Sequence, residues 1–125
     1  MATPAQIVSE FIAAWPDKDV ARLASFFSED AVYHNIPMEP VKGREAIQAT
    51  FAGFMGMADQ IRFDTLQLVA EGPVVMTERV DHFIGPERTI SLPVMGVFEV
   101  NDGAITAWRD YFDMNQFTSQ MSGGG

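Results

Sequence analysis

Cysteine is absent from the 125-residue chain, which removes disulfides and thiolate metal sites from consideration. Basic residues are few: 8 Lys and Arg stand against 17 Asp and Glu, a formal net charge of −9. Such a surface repels a phosphate backbone, so nucleic acid is not an expected partner. No basic cluster suits a membrane surface, and no apolar run approaches the roughly 20 residues that span a bilayer. The N-terminus has no basic start followed by an apolar run, so no signal peptide is expected and a cytoplasmic protein is. Histidine occurs only at His34 and His82, neither in a ligand-like cluster. No metal and no cofactor are therefore expected.

What is present is mostly apolar. Hydrophobic residues make up 47% of the chain and aromatics 11%, with ten Phe, a composition that excludes disorder. Domains commonly run to about 100–200 residues, so one domain is expected over residues 1–121. The closing Ser-Gly-Gly-Gly, residues 122–125, is expected to be a flexible tail. A chain of this size has room for a core and for an apolar cavity beside it.

Thr3, Pro4 and Gln6 fit a capping box with proline at the first helical position. Ile7, Val8, Phe11, Ile12 and Trp15 follow at helical spacing until Pro16. A second helix is expected from Asp17 or Asp19, burying Val20, Leu23, Phe26 and Phe27. A short strand over residues 31–37 stops at Pro37. Gly43 precedes a third helix with a stripe of Ile47, Phe51, Phe54 and Met55. Four strands then read out over 60–70, 74–84, 89–100 and 104–113. Turns at Glu71-Gly72-Pro73 and at residues 85–88 join them, with a hairpin at Asn101-Asp102-Gly103. A bulge or bend is expected near Pro93 or Gly96, and Asp113 is placed to cap a short terminal helix. The order α-α-β-α-β-β-β-β predicts an α+β fold: a curved, mostly antiparallel sheet with helices on its concave side and a cone-shaped pocket between them.

Residues two apart on a strand share a face. Arg79 and Asp81 therefore lie on one face with Val75, Thr77 and Phe83. The opposite face carries Val74, Met76, Glu78, Val80, His82 and Ile84. Both are mixed, so parity does not say which is inside. On the last strand Asp110 stands between Trp108 and Phe112, and a carboxylate on so apolar a face must be paired or protonated. Tyr33 and Asn35 share a face on the first strand. Taken singly, each of these pairs reads more readily as a buried structural ion pair with hydrogen-bonded neighbours than as a reactive site.

The segments Tyr33-His34-Asn35, Thr77-Glu78-Arg79-Val80-Asp81 and Trp108-Arg109-Asp110-Tyr111-Phe112-Asp113 appear in this order and on these elements. Together they resemble the limonene epoxide hydrolase family over nearly the whole chain. The resemblance implies the cone-shaped fold shared with nuclear transport factor 2 and ketosteroid isomerase. It implies a catalytic Asp81, Arg79 and Asp110, with Tyr33 and Asn35 holding an attacking water. It also implies a cofactor-independent opening of an apolar epoxide, of terpene or cycloalkene type, to a vicinal diol without a covalent intermediate. In that chemistry the water gives its protons to Asp110 and the Asn35 carbonyl, and Tyr33 donates to it. Asp110 acts as general base and a neutral Asp81 as general acid. Two like charges in a dry site share one proton, and a single Arg79 neutralises one carboxylate.

Parity nominates Phe83 and Phe112 as substrate-binding walls, and Phe54, Leu92, Val94 and Phe117 are further candidates. Glu78, Arg109, Tyr111 and the two histidines are expected to be structural, solvated or at a subunit contact. A second copy of the chain, seated on the outer face of the sheet, is the expected partner besides substrate and water. The competing readings are an enzyme of ketosteroid-isomerase or polyketide-cyclase type, and a non-catalytic binder of an apolar ligand.

Overall fold

The structure, a computed structural model, describes residues 2–122. Of the expected tail, residues 123–125 lie outside the described residues. Helix α1 (Pro4–Ala14) starts as its sequence dictates: the Thr3 hydroxyl accepts from the Gln6 N–H, and the Gln6 side chain accepts from the Thr3 N–H. It ends before Pro16 in a single 3₁₀ turn, Trp15–Asp17. Asp19 caps α2 (Val20–Ser25), its carboxylate accepting from the Arg22 N–H at 3.1 Å. The remaining elements are β1 (Phe27–Asn35), β2 (Val41–Lys42), α3 (Arg44–Met55), β3 (Gln60–Glu71), β4 (Val74–Ile84), β5 (Thr89–Asn101), β6 (Ala104–Tyr111) and α4 (Met114–Met121).

The strands form one sheet in the order β2-β1-β6-β5-β4-β3. Every pairing is antiparallel except β1 with β6. β3 to β6 are sequential hairpins. The β5–β6 turn has positive φ at both Asp102 (53°) and Gly103 (80°), the twist a two-residue hairpin needs. Helices α1 and α3 cover one face of the sheet, and the core fills the space between. Phe11 sits at its centre, with edge-on contacts to Trp15, Phe26, Phe27, Phe98 and Trp108 at centroid distances of 5.1–6.1 Å.

Three expectations need correction. Phe27 is not the end of the second helix but the first residue of β1, which begins four residues before the expected 31. The two-residue β2 was not expected at all. The expected bulge at Pro93 or Gly96 does not occur: β5 stays in register with β4 from Val74↔Glu99 to Ile84↔Thr89. The irregularities fall instead between Thr65 and Gln67 of β3, where Leu66 is extra, between Glu99 and Val100 against β6, and between Phe27 and Val32 of β1 against β6.

Candidate active site

The outer and inner faces of β4 are now distinguishable. Val75, Thr77, Arg79 and Asp81 are buried under the helices, while Met76 and Glu78 face outward. Arg79 is 1% exposed, and Asp81 and Asp110 are 4% exposed each. β6 brings Trp108 and Asp110 to the same inner face. The parallel pairing of β1 sets Tyr33 beside Trp108 and Asn35 beside Asp110. All five residues expected at the site therefore converge.

The Arg79 guanidinium joins them. Its Nε and Nη2 donate to Asp81 at 3.0 and 2.8 Å. Its Nη1 and Nη2 donate to Asp110 at 3.2 and 2.8 Å. The remaining Nη1 hydrogen goes to the Thr77 hydroxyl at 3.1 Å. A guanidinium has five N–H donors, and each is thereby engaged. Phe63 and Trp108 lie 5.2 and 5.7 Å from the cation, close enough for favourable cation–π attraction. Asp110 accepts one more bond, from the Trp108 indole N–H at 2.6 Å, and the Tyr33 hydroxyl donates to Asn35 Oδ1 at 3.1 Å.

Two carboxylates and one guanidinium carry net charge −1 if both acids ionise, which a dry site disfavours. Burial pushes Asp81 up to about 6, against the opposing pull of Arg79, and the neighbouring Asp110 adds to the rise. Asp110 accepts three donors and Asp81 two. Burial thus favours the neutral form of Asp81 beyond its usual carboxylate range. Burial, and then Asp110, hold the Tyr33 phenol well above its ordinary range, so it remains a donor. The two acids hold the Arg79 guanidinium charged against the opposing effect of its own burial.

A cavity with about 80 Å³ of room stands over this set, small beside the roughly 300–1,000 Å³ of typical small-molecule sites. Tyr33, Asn35, Asp81 and Asp110 line its polar end. The six nominated wall residues, Phe54, Phe83, Leu92, Val94, Phe112 and Phe117, all line it as well. Arg79 does not: it lies behind the carboxylates it holds. Sequence reasoning missed Met38, Met57 and Phe63 as walls, Trp108 as both wall and donor, and Thr77 as a partner of Arg79. The parity of β4 and β6 carried a signal for Thr77 and Trp108; the loop methionines left none.

The other polar candidates fall outside the cavity. His82 bonds Ser91 at 2.8 Å and Asp64 at 3.1 Å, His34 bonds the Met38 carbonyl at 2.8 Å, and Arg109 donates to Glu99 at 2.6 Å. Among the described residues no group of three or more His, Cys, Asp or Glu is placed to hold a metal.

Helices laid on one face of a curved, mostly antiparallel sheet, with a polar set at the foot of an apolar cavity, define a cone-fold protein of the nuclear-transport-factor-2-like class. Within that class the chain belongs to the limonene-1,2-epoxide hydrolase family, whose catalytic-domain model matches residues 2–122. It is 34% identical over 110 residues to the epoxide hydrolase EphG of Mycobacterium tuberculosis, spanning 86% of this chain and 71% of that protein. A solved LEH-like epoxide hydrolase from M. tuberculosis superposes with a TM-score of 0.84 at 30% identity, covering 96% of this chain and 90% of that one. A protein of ketosteroid-isomerase-like fold from Catenulispora acidiphila superposes at 0.83 with 22% identity, covering 96% and 95%, a likeness of fold alone.

Proposed function

We propose that the chain is an epoxide hydrolase that adds water to an apolar epoxide of terpene or cycloalkene type. One observation carries the reading: a single buried guanidinium grips two carboxylates that both open into the same apolar cavity. A purely structural ion pair needs one acid, and no cavity. Two acids sharing one proton supply a donor and an acceptor at once.

Water would sit between Asp110 and Asn35 and donate to both; the single Tyr33 hydrogen, expected on the water, goes to Asn35 instead and orients it. Asn35 Oδ1 has two lone pairs, so it can accept from Tyr33 and from water together. Fixing the water in this way removes much of the entropic barrier to attack. As the water oxygen bonds to a ring carbon, one of its protons passes to Asp110. The ring C–O bond breaks, its electron pair stays on the epoxide oxygen, and that oxygen takes the proton of Asp81. The product is a vicinal diol. The dyad ends with the proton on Asp110, and its return to Asp81 resets the site. Arg79 stays charged throughout and holds both acids in place. The walls bind the hydrocarbon and keep bulk water from weakening the electrostatics.

The test is diol formation from a panel of terpene and cycloalkene oxides, run as a single turnover in oxygen-18 water. Label should appear directly in the diol. Label found first in the protein would mean a covalent ester and defeat the reading. The outer face of the sheet is proposed as the contact with a second copy. Leu66, Val80, Pro93, Met95 and Tyr111 meet there around one shallow depression.

A further inference from the structure

Arg79 and Asp110 are not on neighbouring strands. Arg79 is on β4 and Asp110 on β6, and β5 runs between them. The guanidinium must cross β5 on the inner face to reach its second acid. It does so over Gly96, which pairs with Thr77 on one side and with Asp110 on the other. The inner positions of β5 on either side of the crossing hold Val94 and Phe98, both buried. Only at Gly96 is the inner face bare.

The space is fully used by the site. A Cβ built on Gly96 would lie 2.6 Å from Asp110 Oδ1 and 3.0 Å from Thr77 Oγ1, and closer still to Arg79 Nη1. The three nearest atoms it would meet all belong to the ion-pair network. Gly96 has an ordinary extended backbone, so its lack of a side chain is not explained by a left-handed φ. Close approach of a neighbouring group is the remaining physical reason for glycine inside a strand.

We infer that Gly96 is a positioning residue: its bare Cα is the window through which the Arg79 cation reaches across β5 to bind Asp110 while still holding Asp81. The inference rests on the reading of the site as an epoxide hydrolase. Its structural content, that Gly96 places Asp110 relative to Arg79, can be read without substrate. Asp110 Oδ1, which borders this window, accepts from both Arg79 Nη1 and the Trp108 indole N–H. Trp108 is therefore a reporter. The other tryptophan, Trp15, is buried with no partner for its Nε1 and serves as an internal control.

The experiment compares the wild type with Gly96→Ala by two-dimensional NMR of the indole N–H groups and by steady-state kinetics. A methyl group in the window should push Arg79 and Asp110 apart. The Trp108 indole proton is then expected to move upfield as its bond to the carboxylate lengthens, with the Trp15 resonance unchanged. Turnover should drop at least a hundredfold with KM within threefold, because the cavity walls are untouched. Thr77→Ala/Gly96→Ala returns space on the far side of Arg79 Nη1 and should recover about tenfold of the lost rate, with the Trp108 shift moving back.

A Trp108 resonance that does not move in Gly96→Ala overturns the inference, whether or not activity falls. If Gly96→Ala does not fold, the double variant decides. A folded double variant supports the window, and an unfolded one overturns it in favour of general packing. Should the wild type open no epoxide, the NMR comparison still stands and only the proposed function fails.

Discussion

At the scale of single residues the site depends on an asymmetry between two chemically identical side chains. On the proposed mechanism, Asp81→Asn leaves no proton donor of the right acidity, and Asp110→Asn leaves no base. Each should lower turnover by at least a thousandfold in the diol assay while circular dichroism stays native; a variant retaining a tenth of the rate would contradict the assignment. The pH profile carries the sign. Asp81 must be protonated to act as an acid, so kcat/KM should fall about tenfold per unit above pH about 6. Asp81 interacts strongly with its charged neighbours, so the limb gives an apparent value for the site. Stability runs the same way. An acid raised from 3.8 to about 6 by folding favours the folded state below 3.8, and that contribution is lost as the pH rises through about 6. The stability of the wild type relative to Asp81→Asn should therefore decline across that window in chemical denaturation. The five residues stood out beforehand through shared strand faces, but an Arg-x-Asp pair in a strand is a weak signal alone, and their chemistry came from the family resemblance. Gly96 and Thr77 did not stand out, because a glycine or a threonine in a strand has many bland explanations. Which face of β4 lay inside was decided by the helices covering it, and that is a tertiary fact.

At the scale of elements, turns and capping boxes were readable and irregular pieces were not. The Asp102-Gly103 turn and the Thr3 cap declare themselves through local chemistry. β2 has two residues, too few to show any period. Phe27 continues the helical spacing of Leu23 and Phe26, so propensity alone extends the helix into the strand; pairing with Ile105 of β6 wins. The last element, α4, has a tether of its own. β6 pairs with β5 only as far as Met95, so the edge of β5 from residue 89 to 94 faces no strand. There the Gln120 side chain accepts from the Ser91 N–H at 2.8 Å and donates to the Ser91 carbonyl at 2.9 Å. No residue of α4 is buried, and Phe117 of the same helix forms part of the cavity wall. Gln120→Ala should therefore lower the opening free energy of α4 by about 1–2 kcal/mol. Hydrogen exchange at the Ser91 amide would report this as roughly a tenfold acceleration; unchanged protection would show that the tether is dispensable.

At the scale of the whole molecule, the sheet has one busy face and one open one. The inner face holds the core and the cavity. The outer face leaves Leu66 56%, Met76 42%, Met95 47% and Tyr111 46% exposed. Apolar patches of this kind mark contact surfaces. If a second copy covers it, Met95→Glu, which points away from the cavity, should shift the chain from dimer to monomer in sedimentation velocity. The fold and the Trp108 indole resonance should be unaltered. A wild type that sediments as a monomer at all concentrations would refute the pairing.

The position of Arg79 behind its two acids has a consequence for change over generations. On the proposed reading, substrate would meet carboxylates, an amide, a phenol and hydrocarbon, but not the cation, which does not line the cavity. Reactive parts and shape-giving parts thus occupy separate positions, so Phe54, Leu92, Val94 and Phe117 can be recut for a bulkier or slimmer guest without disturbing the ionic scaffold. A lineage carrying this architecture is free to diversify its diet while its machinery stands still.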